Sequence, residues 1–108
     1  MTIDELKTFI HNQGELWGQD SAKWQQPSPK AAIMFMVTEA AEALSSAISA
    51  DDPGFIRNNP DKIRDWEATT EEVADTIIMA LRYFGAMGLS VESAVLAKLE
   101  KMARKRNV

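Results

Sequence analysis

The sequence predicts an all-α fold built as a four-helix bundle. Two observations lead to this prediction. Four stretches show apolar residues at helical spacing, each opened by a capping signal, and no stretch alternates as a β-strand does. The 108 residues are 45% hydrophobic and hold only five Gly and four Pro. A chain of this length forms one core, so we expect one domain over residues 1–108.

The first two helices have clear start signals. Thr2 and Glu5 fit a capping box, which predicts a first helix running to Trp17-Gly18. Ser28-Pro29 combines a hydroxyl cap with Pro at the first helical position. A second helix should therefore run from Lys30 to about Ala50.

The middle of the chain is the least regular part. Residues 51–68 are rich in Pro, Asp and Asn, and Asn59-Pro60 is a possible start of a short extra helix through Trp66. Thr69 with Glu72 fits a second capping box, so a third helix should begin there.

The last two helices are joined by a short connection. The third helix should end at Gly88, and Ser90 should cap the fourth. One arc of the third helix is a conventional core face: Val73, Ala74, Ile77, Ile78, Leu81 and Phe84. Its opposite arc is also largely apolar. A chain this short cannot cover both sides alone, so we expect a homodimer or homotetramer.

Composition excludes several classes of function. The chain has no Cys and a single His, which excludes disulfide scaffolds, thiolate zinc sites and multi-histidine metal sites. A net charge of −4 argues against a dedicated nucleic-acid binder. No apolar run approaches the roughly 20 residues that span a bilayer, and the start of the chain is acidic. We expect a cytoplasmic protein that binds neither nucleic acid nor membrane.

Basic residues crowd the end of the fourth helix. The cluster consists of Lys98, Lys101, Arg104, Lys105 and Arg106. One interpretation is a helix C-terminus, where the dipole and free carbonyls favour cations. The other is a clamp for phosphate near an acidic site.

Two carboxylate pairs are the strongest candidates for a site. Glu39 and Glu42 lie three residues apart on the second helix, and Glu72 and Asp75 lie three apart on the third. An i,i+3 pair shares one helix face, so each helix can direct two carboxylates at one point. Oxygen ligands without His or Cys suit a hard ion, Mg²⁺ or Mn²⁺.

Each pair also has a structural interpretation. Glu39 and Glu42 share an arc with Thr38, Ser45, Ser46 and Ser49, as on an ordinary solvated face. Glu72 can serve the Thr69 capping box. Asp75 is harder to explain in this way, because it shares an arc with Met79 and Ala86, where we expect restricted access of water.

The combined pattern resembles the MazG-like, all-α nucleotide pyrophosphohydrolase superfamily. The resemblance rests on Glu39-Ala-Ala-Glu42 and Glu72-Val-Ala-Asp75, with Pro29-Lys30 before the second helix and Gly88-Leu-Ser after the third. It extends over roughly Lys30 to Lys105. The fourth helix departs from the family's Lys-x-x-Lys-Asn pattern, because Met102 stands where Asn is usual.

The resemblance implies an activity and roles for residues. According to this resemblance, Glu39, Glu42, Glu72 and Asp75 ligate Mg²⁺. The resemblance also implies an enzyme that hydrolyses a (deoxy)nucleoside triphosphate to the monophosphate and pyrophosphate. Glu39 or Glu42 would accept the proton of the attacking water. It further implies that Lys30 and Lys98 bind phosphates and that Trp17 and Trp24 stack on the base.

Two alternatives stay open at this point. One is a non-catalytic helical module that mediates oligomerisation. The other is a related pyrophosphohydrolase that acts on dUTP-like or phosphoribosyl nucleotides.

Overall fold

The computed structural model describes residues 1–18, 26–58 and 66–106, and these residues form helices and short connections without a β-strand. The prediction of an all-α fold is confirmed. In chain order the helices are α1 Ile3–Gly18, α2 Pro29–Asp51, α3 Pro53–Asn58, α4 Trp66–Met87 and α5 Val91–Arg106.

The predicted helix ends are confirmed at four places. The Thr2 and Glu5 side chains each accept the other residue's backbone N–H, at 3.1 and 3.2 Å, which completes a capping box. Helix α2 begins at Pro29. Gly88 has a φ of 66°, and Leu89 N–H donates to the Phe84 carbonyl, as in a Schellman motif. The Ser90 hydroxyl accepts the Ser93 N–H at 3.1 Å.

Two expectations for the middle of the chain differ from the structure. Helix α4 begins at Trp66, three residues before Thr69, so Thr69 is inside the helix and is not its cap. The Thr69 hydroxyl instead forms a hydrogen bond with the Ser46 hydroxyl of α2. A short extra helix occurs at α3, immediately after α2. The start predicted at Asn59-Pro60 lies outside the described residues.

The chain divides into two compact units. The first unit comprises Met1–Lys30 with Leu81–Val108, and the second comprises Ala31–Ala80. In the first unit, the start of α1 contacts the start of α5. The Asp4 carboxylate accepts hydrogen bonds from the Ser90 hydroxyl at 2.8 Å and from the backbone N–H groups of Val91 and Glu92 at 2.7 and 3.4 Å. Asp4 and Ser90 together satisfy the free N–H groups of the first turn of α5.

Asp4→Asn should lower the melting temperature by several degrees. The hydrogen bonds from Val91 and Ser90 hold the pKa of Asp4 below its usual 3.8. A lowered pKa means that the charged carboxylate stabilises the folded state at all pH values above 3.8, and that this contribution is lost as pH falls through the folded value. Thermal unfolding at neutral pH measures the effect. Asp51→Asn, at the exposed end of α2, is the control. Equal losses in both variants would contradict the role of Asp4.

In the second unit, α2 and α4 lie side by side and antiparallel. The Ser46 and Thr69 hydroxyls are 2.7 Å apart. One or two turns away, Glu39 of α2 lies beside Glu72 and Asp75 of α4. The contact residue with the higher number on α2 therefore pairs with the lower number on α4, so the two helices run antiparallel.

Few side chains are buried in the described residues. The buried apolar residues are Ala32, Ala50, Leu81 and Val91, and none of the large side chains is completely enclosed. The predicted core face of α4 is shielded from solvent only in the second half of the helix. Leu81 is buried, but Val73 and Ile77 are 46% and 51% exposed. The second unit therefore leaves much of its apolar surface in contact with solvent.

Helix α2 is long and apolar enough to cross a membrane when judged by length and composition alone. Few of its residues are buried. The prediction that no apolar segment is long enough to span a bilayer is therefore wrong for α2. Length and composition alone do not identify a membrane span, because core helices of soluble proteins and signal sequences share them.

Candidate metal site

Four carboxylates converge where α2 and α4 face one another. Glu39 and Glu42 are one helical turn apart on α2, and Glu72 and Asp75 are one turn apart on α4. Oxygen atoms of Glu39, Glu72 and Asp75 all lie within 4.8 Å of one another. The Glu42 carboxyl group is close enough to Glu39 and Glu72 to raise the pKa of both. The structure thus brings the four predicted acids together.

This cluster is partly shielded from water. Glu39 and Glu72 are half-buried, whereas Glu42 and Asp75 are exposed. Burial raises the pKa of Glu39, and the neighbouring Glu42 carboxylate raises it further. Burial likewise raises the pKa of Glu72, and the neighbouring Glu42 raises it further. The other acids of the cluster act in the same direction, because each added negative charge disfavours ionisation of its neighbours.

The Glu72 side chain has an unsatisfied oxygen. Its Oε2 atom is buried and has no hydrogen-bond partner among the described residues. A buried carboxylate oxygen without a donor is unfavourable, since it has lost water without gaining a replacement. A divalent cation would satisfy this oxygen and neutralise its neighbours. The donor set, composed of carboxylate oxygens alone, fits Mg²⁺ or Mn²⁺.

Two expectations about these acids differ from the structure. The arc of α2 that carries Glu39 was compatible with a solvated face, yet Glu39 is half-buried and Ser46 contacts Thr69 of α4. Asp75 was expected to be shielded from water, but it is exposed, and the shielded acid of α4 is Glu72. Since Thr69 is within α4, the capping box that offered Glu72 a structural role is not formed.

The contact between Ser46 and Thr69 was not anticipated from the sequence. Its only signal is spacing, because Ser46 lies seven residues after Glu39 and so shares its face of α2. The hydroxyl pair joins the two helices about two turns from the acids along α2. It is a second contact between α2 and α4 besides the acids.

The predicted substrate-binding residues lie elsewhere in the chain. Lys30 is exposed in the first turn of α2 and Lys98 is exposed on α5, and both belong to the first unit. Trp17 is in α1, but its side chain lies outside the described part of the chain, as does the whole of Trp24. The roles of these four residues stay predictions.

Without metal, Glu39 and Glu72 should make the protein less stable as pH rises above 4.5. Glu39 and Glu72 have pKa values above their usual 4.5, so the folded state holds protons that the unfolded state releases. Their destabilising effect therefore begins as pH rises through 4.5 and is complete above the folded pKa values. Urea unfolding in EDTA across this range measures it. Excess Mg²⁺ should abolish the decrease, and an equal decrease with and without Mg²⁺ would argue against a metal site.

Comparisons of the chain with protein-family models, with curated proteins and with solved structures found no match.

Proposed function

We propose that the protein is a Mg²⁺-dependent pyrophosphohydrolase of the MazG-like type. Its substrate would be a nucleoside or deoxynucleoside triphosphate, and its products the monophosphate and pyrophosphate. The observation that carries this proposal is the convergence of Glu39, Glu42, Glu72 and Asp75 from two antiparallel helices. A cytoplasmic role in clearing unwanted nucleotides is the setting that we infer for this reaction.

The four carboxylates are suited to hold Mg²⁺ against a triphosphate. A triphosphate carries about four negative charges, so it would be repelled by a cluster of acids without a cation between them. When bound, Mg²⁺ supplies positive charge to the phosphate oxygens and acidifies water. Glu72 suits a ligand role because its Oε2 has no protein partner among the described residues. Asp75 and the two glutamates of α2 complete the set.

One glutamate of α2 would act as general base. Water attacks the α-phosphorus, the bond from that phosphorus to the bridging oxygen breaks, and pyrophosphate leaves with the bond electrons. The proton of the water passes to the carboxylate of Glu39 or Glu42. Glu39 is suited to this step because burial raises its pKa toward the range in which a carboxylate accepts a proton readily.

We propose that residues outside the cluster bind the other parts of the substrate, its outer phosphate oxygens and its base. Lys30 and Lys98 would contact phosphate oxygens, and Trp17 and Trp24 would stack on the base. Stacking alone discriminates poorly among bases. The basic end of α5 either extends the phosphate site or only complements the helix dipole.

The assembly we propose is a homodimer or homotetramer. The extensive exposed apolar surface of the described residues supports this, because a monomer would leave it in water. The same surface also supports the principal alternative, a helical association module without catalytic activity. A third possibility is a pyrophosphohydrolase specific for dUTP-like or phosphoribosyl nucleotides.

Pyrophosphate release from a panel of nucleotides, with Mg²⁺ or with EDTA, tests the proposal. We expect turnover of at least one triphosphate in Mg²⁺ and none in EDTA. Phosphoribosyl nucleotides and dUTP belong in the panel because they identify the related substrate classes. No turnover, together with no rise in melting temperature on adding Mg²⁺ and a non-hydrolysable triphosphate, would instead indicate the association module.

A further inference from the structure

Helices α2 and α4 each carry a line of less exposed residues at alternating steps of three and four. On α2 the line consists of Ala32, Met36, Glu39, Ala43, Ser46 and Ala50. On α4 it consists of Thr69, Glu72, Thr76 and Met79. Such steps keep residues on one helix face, as at the contact positions of a coiled coil. We call these two lines the α2 seam and the α4 seam.

The two seams meet at a pair of hydroxyl groups as well as at the acids. Ser46 Oγ lies 2.7 Å from Thr69 Oγ1, and Thr69 is only 7% exposed. Ser46 lies seven residues after Glu39, and Thr69 lies three residues before Glu72. The hydroxyl pair is therefore on the same two seams as the acids, one or two helical turns away from them.

The small residues of the α2 seam do not fix how far one helix slides along the other. Ala32, Ala43 and Ala50 present the same side chain, so a slide can replace one small contact with another. The acids do not fix the alignment either, because without metal they repel one another. A buried polar pair does fix it, since any other alignment separates its hydrogen-bonding groups.

The acid cluster depends on this alignment. Oxygen atoms of Glu39, Glu72 and Asp75 all lie within 4.8 Å of one another. A slide of one helical turn moves a residue by about 5.4 Å along the helix axis. Such a slide would separate the ligand of α2 from the two ligands of α4.

We propose that the hydrogen bond between Ser46 and Thr69 sets the register of α2 against α4 and so positions the four acids. Both are positioning residues, because they act through the carboxylates and touch neither metal nor substrate in this role. The effect on metal binding rests on the proposed function, whereas the effect on register does not.

A distance measurement in EDTA tests the register without any metal. The chain has no native Cys, so spin labels can be attached at Ala41→Cys on α2 and Ala74→Cys on α4, two exposed positions outside the cluster. Double electron–electron resonance, with labelled chains diluted into unlabelled protein, reads the distance within one chain. We expect one narrow distribution in the otherwise wild-type chain. Ser46→Ala with Thr69→Val should broaden it, with distances that differ by up to about one helical turn, 5.4 Å.

Mn²⁺ binding, followed by the loss of the electron paramagnetic resonance signal of free Mn²⁺, tests the effect on the acids. Ser46→Ala with Thr69→Val should weaken binding by roughly tenfold or more, as when a group that orients metal ligands is lost. The melting temperature in EDTA should change little, because replacing both partners of a hydrogen bond by apolar groups is nearly neutral. A purely structural pair would show no loss of Mn²⁺ affinity.

Ser45→Ala with Thr70→Val is the matched control. It makes the same two changes one residue away on each helix, at exposed positions. The Thr70 hydroxyl donates to the Trp66 carbonyl of its own helix at 2.8 Å, so its loss removes no contact with α2. We expect a narrow distance distribution and wild-type Mn²⁺ affinity.

Exchange of the two residues, Ser46→Thr with Thr69→Ser, separates the hydroxyl groups from side-chain volume. The exchange keeps both hydroxyls and the total number of side-chain atoms, so the hydrogen bond can form again. We expect Mn²⁺ affinity and the label distance to stay close to the wild-type values.

Three results would overturn the proposal. One is an unchanged distance distribution in Ser46→Ala with Thr69→Val. Another is an equal loss of Mn²⁺ affinity in the control variant while circular dichroism shows both variants to be helical. The third is a helical exchange variant that binds Mn²⁺ as weakly as the variant without hydroxyls, which would assign the effect to packing. A wild type that binds no Mn²⁺ would overturn the metal site and the proposed function, and the distance measurement would still decide the register.

Discussion

Glu72→Gln should reduce pyrophosphate release by roughly 100-fold or more and should also raise the melting temperature of the metal-free protein. The amide removes an anionic ligand, so Mg²⁺ binds more weakly and activity falls. It also removes a half-buried charge whose pKa is raised by burial and by Glu42, which relieves repulsion inside the helix pair. Opposite changes in activity and stability are characteristic of a functional site.

Glu71→Gln is the matched control for this experiment. It makes the same substitution one residue earlier on α4, at an exposed position outside the four acids, whose charge raises the pKa of Glu72 less than Glu42 or Asp75 does. We expect near-normal activity and only a small change in melting temperature in EDTA. If Glu72→Gln instead lowered the melting temperature in EDTA and retained activity, Glu72 would be a structural residue and the metal site would have to be reassigned.

The helix ends could be predicted well because they depend on local chemistry. Caps at Thr2 and Ser90 and the left-handed Gly88 each involve groups within a few residues of one another. Thr69 shows the limit of such signals. Its spacing to Glu72 matches a capping box, but α4 begins at Trp66 and Thr69 is bound by Ser46, which is 23 residues earlier. A local pattern cannot reveal a partner that distant.

The two faces of the helices could not be assigned from periodicity alone. The sequence shows that Val73 and Ile77 share an arc, and such an arc normally lies in the core of its own chain. In this structure both are exposed, and the arc of α2 that appeared solvated faces α4. Periodicity shows that a helix has an apolar side, but which neighbour covers that side depends on the assembly.

The candidate site was predictable in its members but not in its environment. Spacing of three residues places Glu39 with Glu42 and Glu72 with Asp75 on common faces. The antiparallel contact of α2 and α4 then unites the pairs. The distribution of burial was not predictable, because it depends on how the helices pack, which the sequence pattern does not fix. For that reason the unsatisfied oxygen is on Glu72, whereas the sequence pointed to Asp75.

Asp75→Asn should abolish turnover and change the stability of the metal-free protein only slightly. Asp75 supplies an oxygen within 4.8 Å of those of Glu39 and Glu72, so its loss removes a ligand from the set. Because Asp75 is exposed, its loss relieves only part of the repulsion that raises the pKa values of Glu39 and Glu72, and the melting temperature in EDTA should stay within about 2 °C of the wild-type value. The stabilisation that Mg²⁺ gives to the wild type should be much reduced.

The contrast with Glu72→Gln makes this second variant informative. Both variants should lose activity, but the half-buried position should gain more stability without metal than the exposed one. Asp51→Asn, an exposed Asp at the end of α2, controls for the loss of a surface charge and should keep full activity. Near-normal turnover by Asp75→Asn would exclude it as an essential ligand. A loss of Mg²⁺-dependent stability in step with activity would instead place Asp75 on the ion, because a residue that only shaped the helix surface would change neither.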